Sequence, residues 1–390
     1  MKPTNKCQKT IVIKVGTSSI CDETSHFPLL SNLSGLVETV LKLKSLHHRV
    51  VVVTSAAVGT GLRRLNIAEK PAGLAARQAV AAVGQGRLMA LYDDLFGQFN
   101  QPVAQILLTK NDLSDRSQYL NAVSCLEELL SMDVVPIVNE NDTISTQGIR
   151  FGDNDTLAAV TAGMIKADYL FLMTDVDCLY TDNPRTNPDA QPVLLCDDVA
   201  SLKDKVSVAS GGSALGTGGM TTKLIAADLA TAAGVATIIT HGSKPTNIIK
   251  VIDDDISDKP LHTKFAAKNN PMLDRKWWIL HGLHTAGTIY IDTGAAKAVV
   301  TQGLRSSLFA AGIVDVQGTF NAHQAVQICL RQPTTGDVVI GKGLANYSSS
   351  EISRIKRCNS SEISAILGYV NADCVVHRDN LVRVVQEQQL

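Results

Sequence analysis

Apolar positions recur in a fixed order along the chain. Short apolar runs are each followed by a polar or small-residue turn and then by an amphipathic stretch of helical period. The runs at 10–15 (TIVIKV), 49–54 (RVVVVT), 103–108, 134–138, 169–175 and 235–240 predict buried strands, the last of them ending this domain. Leu33, Leu36, Val37, Val40 and Leu41 space an amphipathic helix, and 115–130, the Ala-rich 156–166 and 220–233 predict three more. A long helix over 72–96 carries a stripe that is mostly alanine, suited to close packing. This alternation predicts an α/β class: a mostly parallel open sheet sandwiched by helices. Around 268–274 (KNNPMLD) the pattern shortens to strands at 287–291, 312–320, 325–330 and 337–340 with one helix near 295–300, a small β-rich domain. The expected division is 1–268, a linker at 269–274, the β-rich domain at 275–358 and a C-terminal segment at 359–390.

The strands break off into polar knots at their carboxyl ends, the edge where open α/β sheets bind ligands. The most concentrated knot follows the strand at 134–138: Asn139, Glu140, Asn141 and Asp142, and then Asp153, Asn154 and Asp155 at the start of a helix. Such a density of carboxylates and carboxamides suits a small ligand with an amino group, a metal, or both. Turn-and-cap chemistry, with Asp155 as an N-cap, is the plainer alternative. A calcium loop beginning at Asp153 fails, because its sixth and twelfth positions are Ala158 and Met164.

Three other places depart from the apolar pattern. Lys14 lies inside the first strand, where a cation needs a partner or must reach water, and Gly16-Thr17-Ser18-Ser19 follows it. The stretch Ser55-Ala-Ala-Val-Gly-Thr-Gly61 reads as a loop of small residues, open either to close ligand approach or to tight helix packing. A glycine cluster over 211–219 leads into Lys223 in the first turn of a helix, where the dipole disfavours a cation unless an anion binds there too. The spacing is not that of a Walker A loop. Thr174 and Asp175 end the fifth strand, and the turn-rich 176–188 predicts a loop or hairpin over the site.

At 390 residues, 45% hydrophobic and 19% charged, the chain has ample material for two cores. Its 36 Lys and Arg against 37 Asp and Glu leave a net charge of -1, which gives no support to a nucleic-acid or membrane-surface field over the whole protein. Eight scattered cysteines form no C-x-x-C pair, and no run has the length of a membrane span or a secretory signal. A cytoplasmic protein with reduced thiols is expected.

Two lysines, small-residue loops and a carboxylate-rich crevice at one sheet edge point to phosphoryl transfer from a nucleotide, where lysines and Mg²⁺ neutralise the moving group. An acceptor that is itself a carboxylate needs no general base, which fits the lack of a His–Asp or Ser–His pairing. The segments IVIKVGTSSI, VVVTSAAVG, VVPIVNENDTIS, RFGDNDTLAA, LMTDVDCLYTDNPR and GTGGMTTKLIAADLA, in this order, closely resemble the glutamate 5-kinases, a family of the amino-acid kinase superfamily. The likeness extends to Val375-Val-His-Arg-Asp379, and the second domain resembles that family's PUA domain. What the resemblance implies is transfer of the γ-phosphoryl group of ATP, with its Mg²⁺, to the γ-carboxylate of L-glutamate, the first step of proline synthesis. It assigns Lys14 and Lys223 to the phosphates and the transferring group, with Asp155 holding both. It assigns Ser55, Asp142 and Asn154 to glutamate. The nucleotide falls to Lys14, Thr174, Asp175, Thr217, Gly218, Gly219, Met220, Thr221, Thr222 and Lys223, and no metal is held by the protein. It further implies a homo-oligomer inhibited by proline, which shares glutamate's α-carboxylate and cationic nitrogen but lacks the reacting carboxylate. The family usually has Ser-Gly-Ala where this chain has Ser55-Ala56-Ala57; if Ala56 needs a glycine-like backbone, substrate affinity suffers. The alternatives are an N-acetylglutamate kinase, which ordinarily lacks a PUA domain, and an RNA-binding protein acting through that domain. Near-neutral charge and the lack of an aromatic–basic stripe around Trp277 and Trp278 oppose the last.

Overall fold

A computed structural model describes residues 8–22, 24–109, 112–113, 115–145, 154–184, 186–197, 199, 202, 219–268, 274–301, 306–332 and 336–384. The chain forms two compact units, Met1–Met272 and Leu273–Leu390.

The first unit is built on β1 (Thr10–Val15), which pairs in parallel with β2 (Arg49–Val53) on one side and β5 (Tyr169–Thr174) on the other. Beyond β2 lie β4 (Val135–Glu140) and β3 (Val103–Leu108), and beyond β5 lies β9 (Ala236–His241), all parallel. The six predicted strands therefore form one parallel sheet. Val235–Thr240 is not its end, however: β10 (Thr263–Phe265) pairs antiparallel with β9, and β8 (Leu195–Cys196) pairs with β10. Strands of two or three residues are too short to leave a periodicity. The turn-rich stretch after β5 is a small hairpin, β6 (Leu179–Tyr180) against β7 (Pro192–Val193).

Every residue of β1 is buried, because helices cover both faces of the sheet. Ile11, Ile13 and Val15 point to one face, where they join a core with Leu33, Leu36, Val37, Val40 and Leu43 of α2 (Leu30–Ser45), which follows the single-turn α1 (Thr17–Ile20). Side chains alternate along a strand, so Lys14 belongs to the other face. That face carries α6 (Asn154–Met164), which packs on β1, β4 and β5 and against α7 (Met220–Ala232).

The small-residue stretch after β2 is not a loop but the start of a helix, α3 (Ala57–Leu65), packed on α4 (Leu74–Gly97). Glycine is required there for backbone approach. A Cβ on Gly84 would lie 1.8 Å from the Ala57 carbonyl oxygen, and one on Gly61 would lie 1.9 Å from that of Val80. Of the two readings of these small residues, tight helix packing accounts for Gly61. Across the sheet edge, α5 (Arg116–Ser131) is capped by the Asp115 carboxylate, which accepts from the Gln118 N–H at 2.9 Å. The final helix among the described residues of the unit is α8 (Asn247–Ile252).

The second unit begins with α9 (Asp274–Trp277) and holds a five-stranded sheet. Its order is β12 (Ile313–Gln317), β11 (Gly287–Ile291), β13 (Ala325–Leu330), β14 (Val338–Leu344), β15 (Leu381–Arg383). Its core draws on these strands, on α10 (Thr293–Thr301), α11 (Ser349–Ile355) and α12 (Ile363–Leu367), and on Val375 and Val376. Residues beyond 358 thus supply both an edge strand and core side chains to this unit. α11 has a capping box between Ser348 and Glu351, a signal present in the sequence as S-x-x-E.

Candidate active site

The carboxyl ends of β1, β2, β4 and β5 open on the face carrying α6 and α7, and the polar residues of the sequence pattern gather there. Asp155, the second residue of α6, is fully buried. Its Oδ1 lies 2.6 Å from the Lys14 ammonium and its Oδ2 lies 3.1 Å from that of Lys223. Both lysines are buried as well, at 4% and 5% exposure. Burial pushes the Asp155 carboxyl up, but the Lys14 and Lys223 ammonium groups outweigh it and hold the carboxyl well below the usual carboxylate range. The strand lysine therefore does not snorkel; it meets a carboxylate brought from 141 residues further along the chain. Two ammonium groups and one carboxylate leave these three residues with one positive charge in a buried position. Such a surplus suits an anion arriving from solution.

Asp155 does not act as a plain turn residue. The Thr222 hydroxyl lies 3.1 Å from Asp155 Oδ2 and 2.7 Å from the Gly219 carbonyl oxygen, and its single proton serves one of them at a time. Gly219 precedes α7 without any side-chain cap, so among the described residues the amide N–H groups of the first turn, Met220 to Thr222, are available to an incoming anion beside Lys223.

Asn154, the residue before Asp155, links three elements. Its Nδ2 donates to Ser55 Oγ and to Asn139 Oδ1, each at 3.0 Å. Asn139, part of the polar knot that the sequence pattern marks but given no role there, is buried near the end of β4 and ties that strand to α6. Asp142 stands apart from this link. It is half-buried, and its carboxylate has no hydrogen-bond partner among the described residues. Burial pushes its pKa up, with the Lys70 charge opposing. On the other side of β1, the Thr174 hydroxyl donates to Asp175 Oδ1 at 3.1 Å, Thr174 buried and Asp175 exposed. Thr217 and Gly218, like Asp153, lie outside the described residues.

Ala56 adopts φ 79° and ψ 11°, a left-handed conformation at the N-cap of α3. An alanine there costs about 1–2 kcal/mol relative to its preferred backbone. The turn that places Ser55 in the crevice does ask for a glycine-like residue and receives an alanine.

The profile of the amino acid kinase family matches residues 9–241, and that of the PUA domain matches residues 287–367. A protein named probable glutamate 5-kinase, from Schizosaccharomyces pombe, is 55% identical over 389 residues, covering 98% of this chain and 94% of its own. A glutamate 5-kinase from Rippkaea orientalis is 49% identical over 374 residues, 96% of this chain and 99% of its own. Among solved structures, the UMP kinase from Ureaplasma parvum matches with a TM-score of 0.46 and 16% identity over 67% of this chain and 99% of that one, too distant a likeness to bear on the reaction.

Proposed function

The chain belongs to the amino acid kinase family, on its glutamate 5-kinase branch, and from that premise we propose that the crevice transfers the γ-phosphoryl group of ATP to the γ-carboxylate of L-glutamate. The observation that carries this reading is Asp155 held between the Lys14 and Lys223 ammonium groups. One oxygen of the γ-carboxylate attacks the γ-phosphorus, and the bond from that phosphorus to the bridging oxygen of ADP breaks. Charge on the transferring group and on the departing oxygen rises as this happens, and the two lysines face it in a water-poor site where each is worth most. The nucleophile is already ionised at neutral pH, so no side chain has to remove a proton. Asp155 positions both ammonium groups and offsets their mutual repulsion before the nucleotide arrives.

Ser55, Asn154 and Asp142 are the proposed glutamate contacts, the Asp142 carboxylate facing the α-ammonium. Thr174, Asp175 and residues 217–223 are the proposed nucleotide contacts. Mg²⁺ binds chiefly through water and phosphate oxygens. Among the described residues no three His, Cys, Asp or Glu side chains converge on a metal position. The ion is proposed to enter as part of the MgATP substrate. The proposal extends to a cytoplasmic homo-oligomer inhibited by proline, with 1–268 as the catalytic domain, 269–274 as linker and a PUA domain that begins at 275 and, contrary to the boundary expected at 358, continues beyond it to take in the core residues Ile363, Val375 and Val376 and the edge strand β15. No helix among the described residues is long and apolar enough to cross a membrane.

The test is acceptor choice. With MgATP, glutamate should yield ADP and an acyl phosphate that hydroxylamine traps, while N-acetylglutamate and aspartate should not. Preference for N-acetylglutamate would overturn the assignment of the substrate while leaving the reaction type standing.

A further inference from the structure

The carboxamides at the strand ends form a chain with a fixed direction. The Glu140 backbone N–H donates to Asn139 Oδ1 at 2.9 Å, which decides which end of the buried Asn139 amide is oxygen. The Asn139 Nδ2 is then directed at Gln85 of α4 and donates to its Oε1 at 2.8 Å. On the other side Asn139 Oδ1 also accepts from Asn154 Nδ2, whose second proton goes to Ser55 Oγ. Both Asn154 N–H groups are thereby used, and Asn154 Oδ1 is left as a buried acceptor with no partner among the described residues. Ser55 Oγ accepts from Asn154, and its own proton has no acceptor among the described residues. A buried acceptor without a partner is costly unless a ligand donor fills it.

We propose that Gln85 is a positioning residue for a substrate bearing an ammonium group: by accepting from Asn139 it completes the chain that turns Asn154 Oδ1 toward the ligand. The proposal rests on reading the crevice as an amino-acid site. An ammonium has three donors and no acceptor, and a carboxylate has the reverse. Asn154 Oδ1 and the Asp142 carboxylate answer the first, and the Ser55 hydroxyl answers the second. Without Gln85 Oε1, Asn139 Nδ2 becomes a buried donor with no partner. Rotation of Asn139 toward another acceptor would relieve that, at the cost of releasing Asn154 from its orientation. Gln85 itself touches no reacting group, so its removal should be felt in recognition of the ammonium and not in phosphoryl transfer.

The experiment uses the full-length protein with two substitutions: Gln85→Met, which removes the acceptor at similar length, and Gln85→Glu, which keeps an acceptor oxygen toward Asn139. KM for glutamate and for ATP, kcat, the thermal midpoint, and the competitive inhibition constant of glutarate, which lacks the ammonium, are measured. Gln85→Met should raise the glutamate KM about tenfold, the equivalent of one charge-assisted hydrogen bond. It should leave kcat, the ATP KM and the glutarate constant within about twofold, since none of them depends on the ammonium acceptor. Gln85→Glu should restore the glutamate KM to within about threefold, since its carboxylate still accepts. If Gln85→Met does not fold, Gln85→Ala supplies the same comparison. An unchanged glutamate KM, an equal weakening of glutamate and glutarate, or failure of Gln85→Glu to restore affinity would each overturn the positioning role. A wild-type protein that turns over no glutamate would instead overturn the amino-acid reading beneath it.

Discussion

Replacing Asp155 by Asn removes one charge and almost no volume, and it isolates what that carboxylate does. Asp155 is fully buried, with ammonium nitrogens 2.6 Å and 3.1 Å from its two oxygens. An amide cannot neutralise either lysine, so the variant leaves two cations in a buried site with no charge between them. Breaking a buried ion pair of this kind costs about 3–5 kcal/mol. In a unit of this size that corresponds to a fall in thermal midpoint on the order of 10 °C. Turnover should fall by about 10²–10³, the range for loss of one preorganised electrostatic element. The pH dependence supplies an independent check. The folded-state pKa of Asp155 lies below its unfolded value, so its stabilisation is fully present above the ordinary carboxylate range and is lost as pH falls through the depressed folded value. The stability difference between wild type and Asp155→Asn should therefore be constant from neutral pH down to the usual carboxylate range and shrink below it. Calorimetry across pH, paired with a coupled ADP assay, measures both. A variant with wild-type midpoint and wild-type kcat would refute the ion-pair argument.

Four further outcomes are expected. Lys14→Ala and Lys223→Ala should each lower kcat by orders of magnitude with the fold intact by circular dichroism; near-normal kcat in either would reduce that lysine to a structural role. Gly84→Ala should destabilise by at least about 1–3 kcal/mol, because its Cβ would meet the Ala57 carbonyl at 1.8 Å and drive α3 from α4; unfolding in denaturant reads this, and an unchanged midpoint would contradict the packing. Glutamate affinity should fall as pH drops below the raised pKa of Asp142, since the protonated acid no longer attracts an ammonium, and Asp142→Asn should flatten that limb of the KM profile. A chain ending at residue 268 should keep kinase turnover, because every proposed contact lies before it; a folded, inactive truncation would assign the second domain a part in the site.

The sequence by itself determined the parts that depend on local periodicity. The apolar runs at 10–15 and 169–175, short and bounded by polar or turn residues, fit strands buried on both faces, and β1 and β5 occupy them almost residue for residue. Lys14 was conspicuous because an apolar strand offers a cation no partner of its own. The helix at Ala57 was missed, since its alanines and glycines read equally well as a loop until α4 comes to lie against them. The edge strands β8 and β10 were missed because strands of two or three residues carry no period. Tertiary structure alone decided the pairings across long separations. Nothing local says that Asp155 will lie between Lys14 and Lys223, residues 141 positions before it and 68 after it. The same holds for Gln85, a half-buried position of α4 whose local sequence carries no sign that it anchors Asn139. Burial is the physical reason in both cases. A charge or an amide removed from water must find its complement in the fold, and the fold brings that complement from elsewhere in the chain.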